Sequence, residues 1–483
     1  MLVKTQHSIC AQQVELEFQG YQQDLFLQEK VSNTIKEKLL PEMEKLFDEK
    51  FSNKHIKIET LSVELGNINI NNWENEFVEA LIQQLRIKLN EVTSFISGDE
   101  IYEVKYIDNK PSVKNKNAVE EYFNALIYFL QTGLLKWNES EIDFNYLNSF
   151  HQADNNTSFF WQQLIEKGIL FSAISVQRFL LHFSSKQIKF IYSDILAVTY
   201  YEVFQEKFLE SANKNIDHIY ASTLKSISFL LLVLSSTEKL FHGKAKIIIA
   251  DIISRDEKQG ERIFHLFDKT QTKKFVTVLP ADRILIFKKN IADITNTVEK
   301  KLPLEIEHNT SNTETAKVYF IKNAGLVLIH PFLVPFYNSL EYLSEQNFRD
   351  MQIHGKAVLL SQFLVNAETD IPEYNLLLNK IICGFPVSET VNNKLKLTDD
   401  EISEANNLLE SVLKYWTALK STSVKGLQSS FLQRDGKLTD KEDYWLLQVE
   451  QKSYDILLSF LPWSISIIKL SWMQKRIMVE WCS

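Results

Sequence analysis

Asn323-Ala324-Gly325-Leu326-Val327-Leu328-Ile329-His330-Pro331-Phe332 opens the last third of the chain. Leu378-Asn379-Lys380-Ile381-Ile382-Cys383-Gly384-Phe385-Pro386 follows, and the chain closes on Leu461-Pro462-Trp463-Ser464, Leu470-Ser471-Trp472-Met473 and Val479-Glu480-Trp481. Five of the eight Trp lie between Trp416 and Trp481. Residues 317–483 are read from these phrases as a mixed α+β domain rich in Trp. Thr398-Asp399-Asp400-Glu401 is a capping box, in which the Thr hydroxyl accepts from the Glu401 amide and the Glu side chain reaches back. Leu397 and Ile402 are placed for the hydrophobic staple that accompanies it. A helix then carries Ala405, Leu408, Leu409, Val412, Trp416 and Leu419 on one face. Asp435-Gly436 reads as a turn, with strands expected at 444–450, 465–470 and 477–481.

Composition sets the class. The 483 residues exceed what one hydrophobic core serves, so two or three domains are expected. Twelve Gly and nine Pro are few for this length and favour helices with short connections. The fold class is α+β, mostly helical: a small α/β N-terminal domain, a helical middle and the α+β C-terminal domain. A net charge of −9 argues against a broad phosphate-neutralising surface, so no nucleic-acid partner is expected. Cys10, Cys383 and Cys482 are too few and too dispersed for a disulfide framework or a zinc site. The start, Met1-Leu2-Val3-Lys4-Thr5-Gln6-His7, lacks a signal-peptide core. The apolar run Phe229–Leu234 is far short of the ~20 residues a spanning helix needs, so membrane insertion is not expected. A reducing compartment and a cytoplasmic, soluble protein are expected.

Upstream, residues 1–95 read as strand-helix-strand-helix. Val14–Phe18 alternates with period two, and Leu27, Val31, Ile35, Leu39, Met43 and Leu46 share a helical face interrupted at Pro41. A second strand is expected near 56–65, then a helix on the ladder Trp73, Phe77, Leu81, Leu85 and Leu89. The polar stretch 107–117 reads as a linker, 118–298 as the helical region, and 299–317 as a second linker.

A search for chemistry finds none. His242-Gly243-Lys244-Ala245 and His354-Gly355-Lys356-Ala357 lack the Ser or Thr and the upstream Gly of a phosphate loop, and read as plain turns. Cys383 sits in an apolar helical run, a setting for core rather than for a nucleophile. The ten His show no metal-binding pair at i, i+4, and His330 reads as a hydrogen-bonded strand-end residue. Acidic pairs such as Asp399-Asp400 and Asp440-Glu442 fall in capping or loop contexts. No catalytic, cofactor-binding or metal residue is therefore assigned. Trp463, Trp472 and Trp481, nine residues apart, form the candidate docking surface. A structural reading, in which they staple two or three strands onto the Trp416 helix, is favoured, with one or two of them reaching an interface.

Several phrases resemble, in their order along the chain, the tape measure proteins of contractile injection systems. They are Gly325-Leu326-Val327-Leu328…Pro331-Phe332-Leu333, Leu378-Asn379-Lys380…Cys383-Gly384, Thr398-x-x-Glu401, Leu419-Lys420-x-Thr422-Ser423, Phe431-Leu432-Gln433-Arg434-x-Gly436 and Leu461-Pro462-Trp463-Ser464…Trp472-Met473. N-terminal His7-x-Ile9…Glu15-Leu16 and Leu61-x-Val63-Glu64-Leu65-Gly66 agree, and Thr132-Gly133-Leu134-Leu135-Lys136-Trp137 is similar to a diverged copy of a further family phrase. The resemblance implies a non-enzymatic component acting in tube and sheath length control. Inner tube, cap or baseplate proteins are its implied partners. An assembly chaperone or scaffold of the same machine is the alternative. The middle region strains the ruler idea, since ~180 residues in one straight helix would span only ~270 Å.

Overall fold

The computed structural model describes residues 7, 9, 12–15, 25–51, 55–68, 72–94, 101–107, 110–116, 118–136, 142–150, 155–212, 218–255, 257–299, 317–392, 395–419 and 421–481. Helix accounts for 66% and strand for 8%, a mostly helical α+β protein. The chain divides into two compact units, Met1–Asn124 and Ala125–Ser483. The division falls inside the Ala118–Thr132 helix. The expected linker at 299–317 and the residues Cys10, Trp137 and Cys482 lie, all or nearly all, outside the described residues.

In the first unit the ladder helix forms as its spacing dictates, over Trp73–Thr93, burying Trp73, Phe77, Leu81, Leu85 and Leu89. It packs on Leu39, Met43 and Leu46. A kink or break is expected at Pro41, and the helix runs on through it, unbroken but locally distorted. A π-helical turn over Ile35–Leu39 lies just upstream, with the Leu40 amide donating to the Ile35 carbonyl. This wider turn accommodates a residue that has no N–H to donate. Of the expected strand at 14–18, Val14 and Glu15 form none and the rest lies outside the described residues. The second strand is shorter than expected, His55–Ile58. The polar stretch read as a linker is instead largely a strand. Lys110–Lys116 pairs antiparallel with Ile101–Ile107, which pairs parallel with His55–Ile58. Lys110–Lys116 ends the order of this sheet, a position where a Pro such as Pro111 is tolerated in a strand.

In the second unit, residues 125–299 form packed helices. The apolar run at 229–234 sits in the His218–Ser235 helix, where Phe229 to Leu234 are all buried. A helix apolar all round belongs at a centre, and this one is contacted by Ala173–His182, His242–Arg255 and Ala281–Glu299. Asn290 donates Nδ2–H to the Leu234 carbonyl at 3.1 Å, satisfying a terminal acceptor that the helix itself leaves open. No helix among the described residues is long and apolar enough to cross a membrane.

The C-terminal block carries a five-stranded sheet in the order Val318–Ile321, Gly436–Asp440, Tyr444–Val449, Arg476–Glu480, Ile467–Ile468. Tyr444–Val449 and Arg476–Glu480 run parallel, and the other pairings are antiparallel. The opening phrase is not a strand. Ala324–Ile329 is a 3-10 helix, and His330–Ser339 an α-helix with Pro331 in its first turn. His330 thus starts a helix, its ring bonded to the Val327 carbonyl at 2.9 Å, because Pro is pre-set for a helix start and a fully buried apolar run has no period to read. The two phosphate-loop look-alikes are also helical, within His242–Arg255 and Met351–Asn366, rather than turns. Downstream of the Asp435-Gly436 turn, Gly436–Asp440 adds a strand the sequence did not suggest.

The capping box forms as expected, with Thr398 accepting from the Glu401 amide and Glu401 accepting from the Thr398 amide. Its helix ends at Tyr415, so Trp416 is the cap and not a member of the helical face. Glu401 also takes bonds from Tyr342 Oη at 2.5 Å and Lys356 Nζ at 2.8 Å, tying the cap to two further elements. At Gly325 a Cβ would overlap the Phe431 carbonyl and Leu432, so two family-like phrases touch there with no room for a side chain. Thr398→Ala should therefore cost about 1 kcal/mol of stability. Gly325→Ala should cost more, about 3 kcal/mol. Urea unfolding of the two variants beside the unaltered chain checks that order.

Candidate functional site

The candidate docking residues occupy unequal positions. Trp463 is half-buried, donating Nε1–H to the Leu328 carbonyl at 2.8 Å and meeting Phe332 edge-on at 5.1 Å. Phe332 in turn contacts Tyr415, which is 64% exposed. Trp472 is 8% exposed and donates to the Ile382 carbonyl at 2.8 Å. Trp481 is 5% exposed and donates to Asp455 Oδ2 at 3.1 Å. Each indole crosses to another element of the block, so the nine-residue spacing marks three separate anchor points. Only Trp463 among the three is continuous with an exposed aromatic surface.

Beneath Trp481 lies a feature that no motif suggested. Arg434 is buried, pairs with Asp455, and donates to the carbonyls of Ser430 at 2.8 Å and Glu450 at 2.9 Å. Its guanidinium also faces the rings of Tyr454 and Trp481 at 5.0 and 5.4 Å. The rigid guanidinium fork suits a site that must satisfy several acceptors at once.

A second buried ionic cluster joins the helical region to the C-terminal block. Glu373, wholly buried, accepts from Arg178 Nε at 3.1 Å and Arg178 Nη2 at 3.2 Å. Lys380 Nζ donates to the same carboxylate at 2.6 Å, Thr390 Oγ1 at 2.8 Å, and His182 Nε2 lies 3.2 Å away. Remaining donors are met by carbonyls. Arg178 reaches Leu130 and Ser388, and Lys380 reaches Val387 and Glu389. Gly133, in the one family-like phrase read in the middle region, closes over this cluster. Its φ is +76°, and a Cβ there would lie 2.6 Å from Glu373 Oε1 and 2.9 Å from Arg178 Nη2. Leu134, the next residue, belongs to the core of the C-terminal block.

Burial alone would raise the Glu373 carboxyl pKa, but Lys380 and Arg178, with the bond from His182, hold it well below the usual carboxylate range. Burial also draws the Lys380 ammonium down, against the pull of Glu373. Two cations share one anion here, and Lys380, Arg178 and His182 all stabilise the carboxylate. Each charge is taken up by a partner inside the protein, which makes the cluster a structural joint and leaves it without a free acid or base.

Elsewhere the chemistry is quiet. Burial pushes the Cys383 thiol up to about 11, so it is protonated at neutral pH. Among the described residues no group of His, Cys, Asp and Glu could hold a metal ion. A shallow groove of about 360 Å³ is lined by Gly243, Lys246, Ile247, Asp293, Asn296 and Thr297, and Lys246 pairs with Asp293 at 3.0 Å.

The sequence model described as contractile injection system tape measure protein matches residues 6–481. The chain belongs to that family. No curated protein and no solved structure matches the chain. The match embraces both ionic clusters, the Trp anchors and the whole helical region, so the joint at Glu373 lies within the family's extent. Tape measure proteins are structural, length-determining components of these machines.

A carboxyl with a depressed folded pKa contributes stability above its unfolded value of about 4.3, and that contribution is lost as pH falls through the folded value. The unfolding free energy of the unaltered chain should therefore fall as pH is lowered from about 5. Glu373→Gln should cost about 3–5 kcal/mol at pH 7, by leaving two cations unmatched, and should flatten the acid slope. Urea unfolding between pH 7 and pH 3 checks both.

Proposed function

We propose that this chain is a non-enzymatic assembly component of a contractile injection system that acts in tube and sheath length control. The family match along residues 6–481 carries the reading. Its C-terminal block docks onto inner tube, cap or baseplate proteins through the surface around Trp463, where Phe332 and the exposed Tyr415 continue the aromatic surface. Trp472 and Trp481 are buried anchors that hold the block together. Assembly takes place in the cytoplasm. Shortening or lengthening the helical region between residues 173 and 299 should change sheath length in proportion, measured by electron microscopy of particles. Particles of unchanged length would remove the ruler mechanism.

One observation favours a second reading, an assembly chaperone or scaffold. The helical region is packed around its own central helix and held to the C-terminal block by the Glu373 cluster, whereas a ruler has to lie extended. Mass spectrometry of purified particles separates the two. A stoichiometric chain retained in the particle supports the length-determining component, and its absence supports the scaffold.

A further inference from the structure

We propose that the Arg178–Glu373 contact is a clasp that opens as a unit, releasing the helical segment 125–299 while the C-terminal block 317–481 stays folded. The inference rests on the length-control reading for its purpose, since a packed segment must come free before it can extend, but not for its physics.

Three observations carry it. First, the charges are divided unequally. Glu373, Lys380 and Thr390 all belong to the block, so the carboxylate keeps a cation at 2.6 Å and a hydroxyl at 2.8 Å whether or not Arg178 is present. Arg178 and His182 come from the Ala173–His182 helix, and on opening both return to water. Rehydration of the guanidinium offsets much of the ion pair that is lost, while the block is left with a matched pair. Second, each side has its own core. Among the described residues the buried core of the block runs from Tyr319 to Trp481, and the helical segment adds Leu134 to it, with Tyr128 packed against it. The helical segment has the buried run Phe229–Leu234 and a ring cluster of Phe204, Phe208, Phe275 and Phe287. Third, the seam is tightly specified at the clasp. Gly133 admits no side chain over Glu373, and Phe129 meets Tyr374 edge-on at 5.8 Å beside it. Opening therefore separates the Arg178 and His182 contacts to Glu373, the Phe129–Tyr374 contact and Leu134, and leaves the rest of each core in place.

Hydrogen–deuterium exchange of the full chain tests this, first on the unaltered protein in graded low denaturant. The most protected amides of the 173–182 and 218–235 helices should exchange at least tenfold faster than those of the 351–366 and 399–415 helices. Arg178→Ala should speed exchange in the helical segment at least a further tenfold and leave the 351–366 and 399–415 helices within twofold. Lys380→Met, which removes the block's own cation, should speed exchange in the block as well. A single shared rate in the unaltered chain would overturn the clasp, as would Arg178→Ala acting equally on both segments or on neither. Sheath length is a separate readout. Segmental exchange with length-independent particles would leave the clasp standing and remove the ruler.

Discussion

A carboxylate removed from water has to be matched by charge and hydrogen bonds, and Glu373 imposes that constraint on four parts of the chain. The Ala173–His182 helix supplies Arg178 and His182, and the Leu377–Cys383 helix supplies Lys380. The loop at 387–390 supplies Thr390 and three carbonyls, and the turn at Gly133 closes over the pair. With all four in place every buried charge of the joint is matched, so the closed joint has one arrangement. A buried ion pair adds little net stability compared with an apolar contact of the same shape, but breaking one side of it is costly. Its effect is to fix register between helical segment and block.

The second buried ion pair does the same work inside the block. Arg434 follows the turn that seats Gly325 and precedes the Gly436–Asp440 strand, and Asp455 opens the 3-10 helix before the Trp463 phrase. With Trp481 donating to that same carboxylate, three separated parts of the block meet at one point. The density of Trp, Gly and Pro in this region is thus explained by packing. Indoles cross between elements, glycines stand where backbones touch, and Pro331 starts a helix.

Much of the fold could be read from local rules. The Trp73–Leu89 ladder, the Thr398–Glu401 capping box and the strands near 444–449, 467–468 and 476–480 follow from periodicity and capping chemistry, which act within a few residues. The misreadings have a common cause in tertiary context. Lys110–Lys116 is polar yet pairs, because a strand at the end of a sheet's order does not need two apolar faces. Ala324–Ile329 is apolar on all sides, which erases the period that separates helix from strand. The Glu373 cluster was invisible because Arg178 and Glu373 are 195 residues apart, and single charged residues in helices usually face solvent. Gly133 belongs to a readable phrase, but nothing local in the sequence shows what it stands over. The family phrases, by contrast, were readable because their order along the chain carries information that no single one does.

A double-mutant cycle across Arg178 and Glu373 tests the central claim most directly, with Arg178→Met, Glu373→Leu and the pair compared by equilibrium unfolding. The joint described here predicts strong coupling, about 2 kcal/mol or more, with the double variant recovering part of what either single variant loses. Single-variant losses that add to within about 0.5 kcal/mol would contradict it, and would mean that the helical segment and the C-terminal block are held together by something other than this carboxylate.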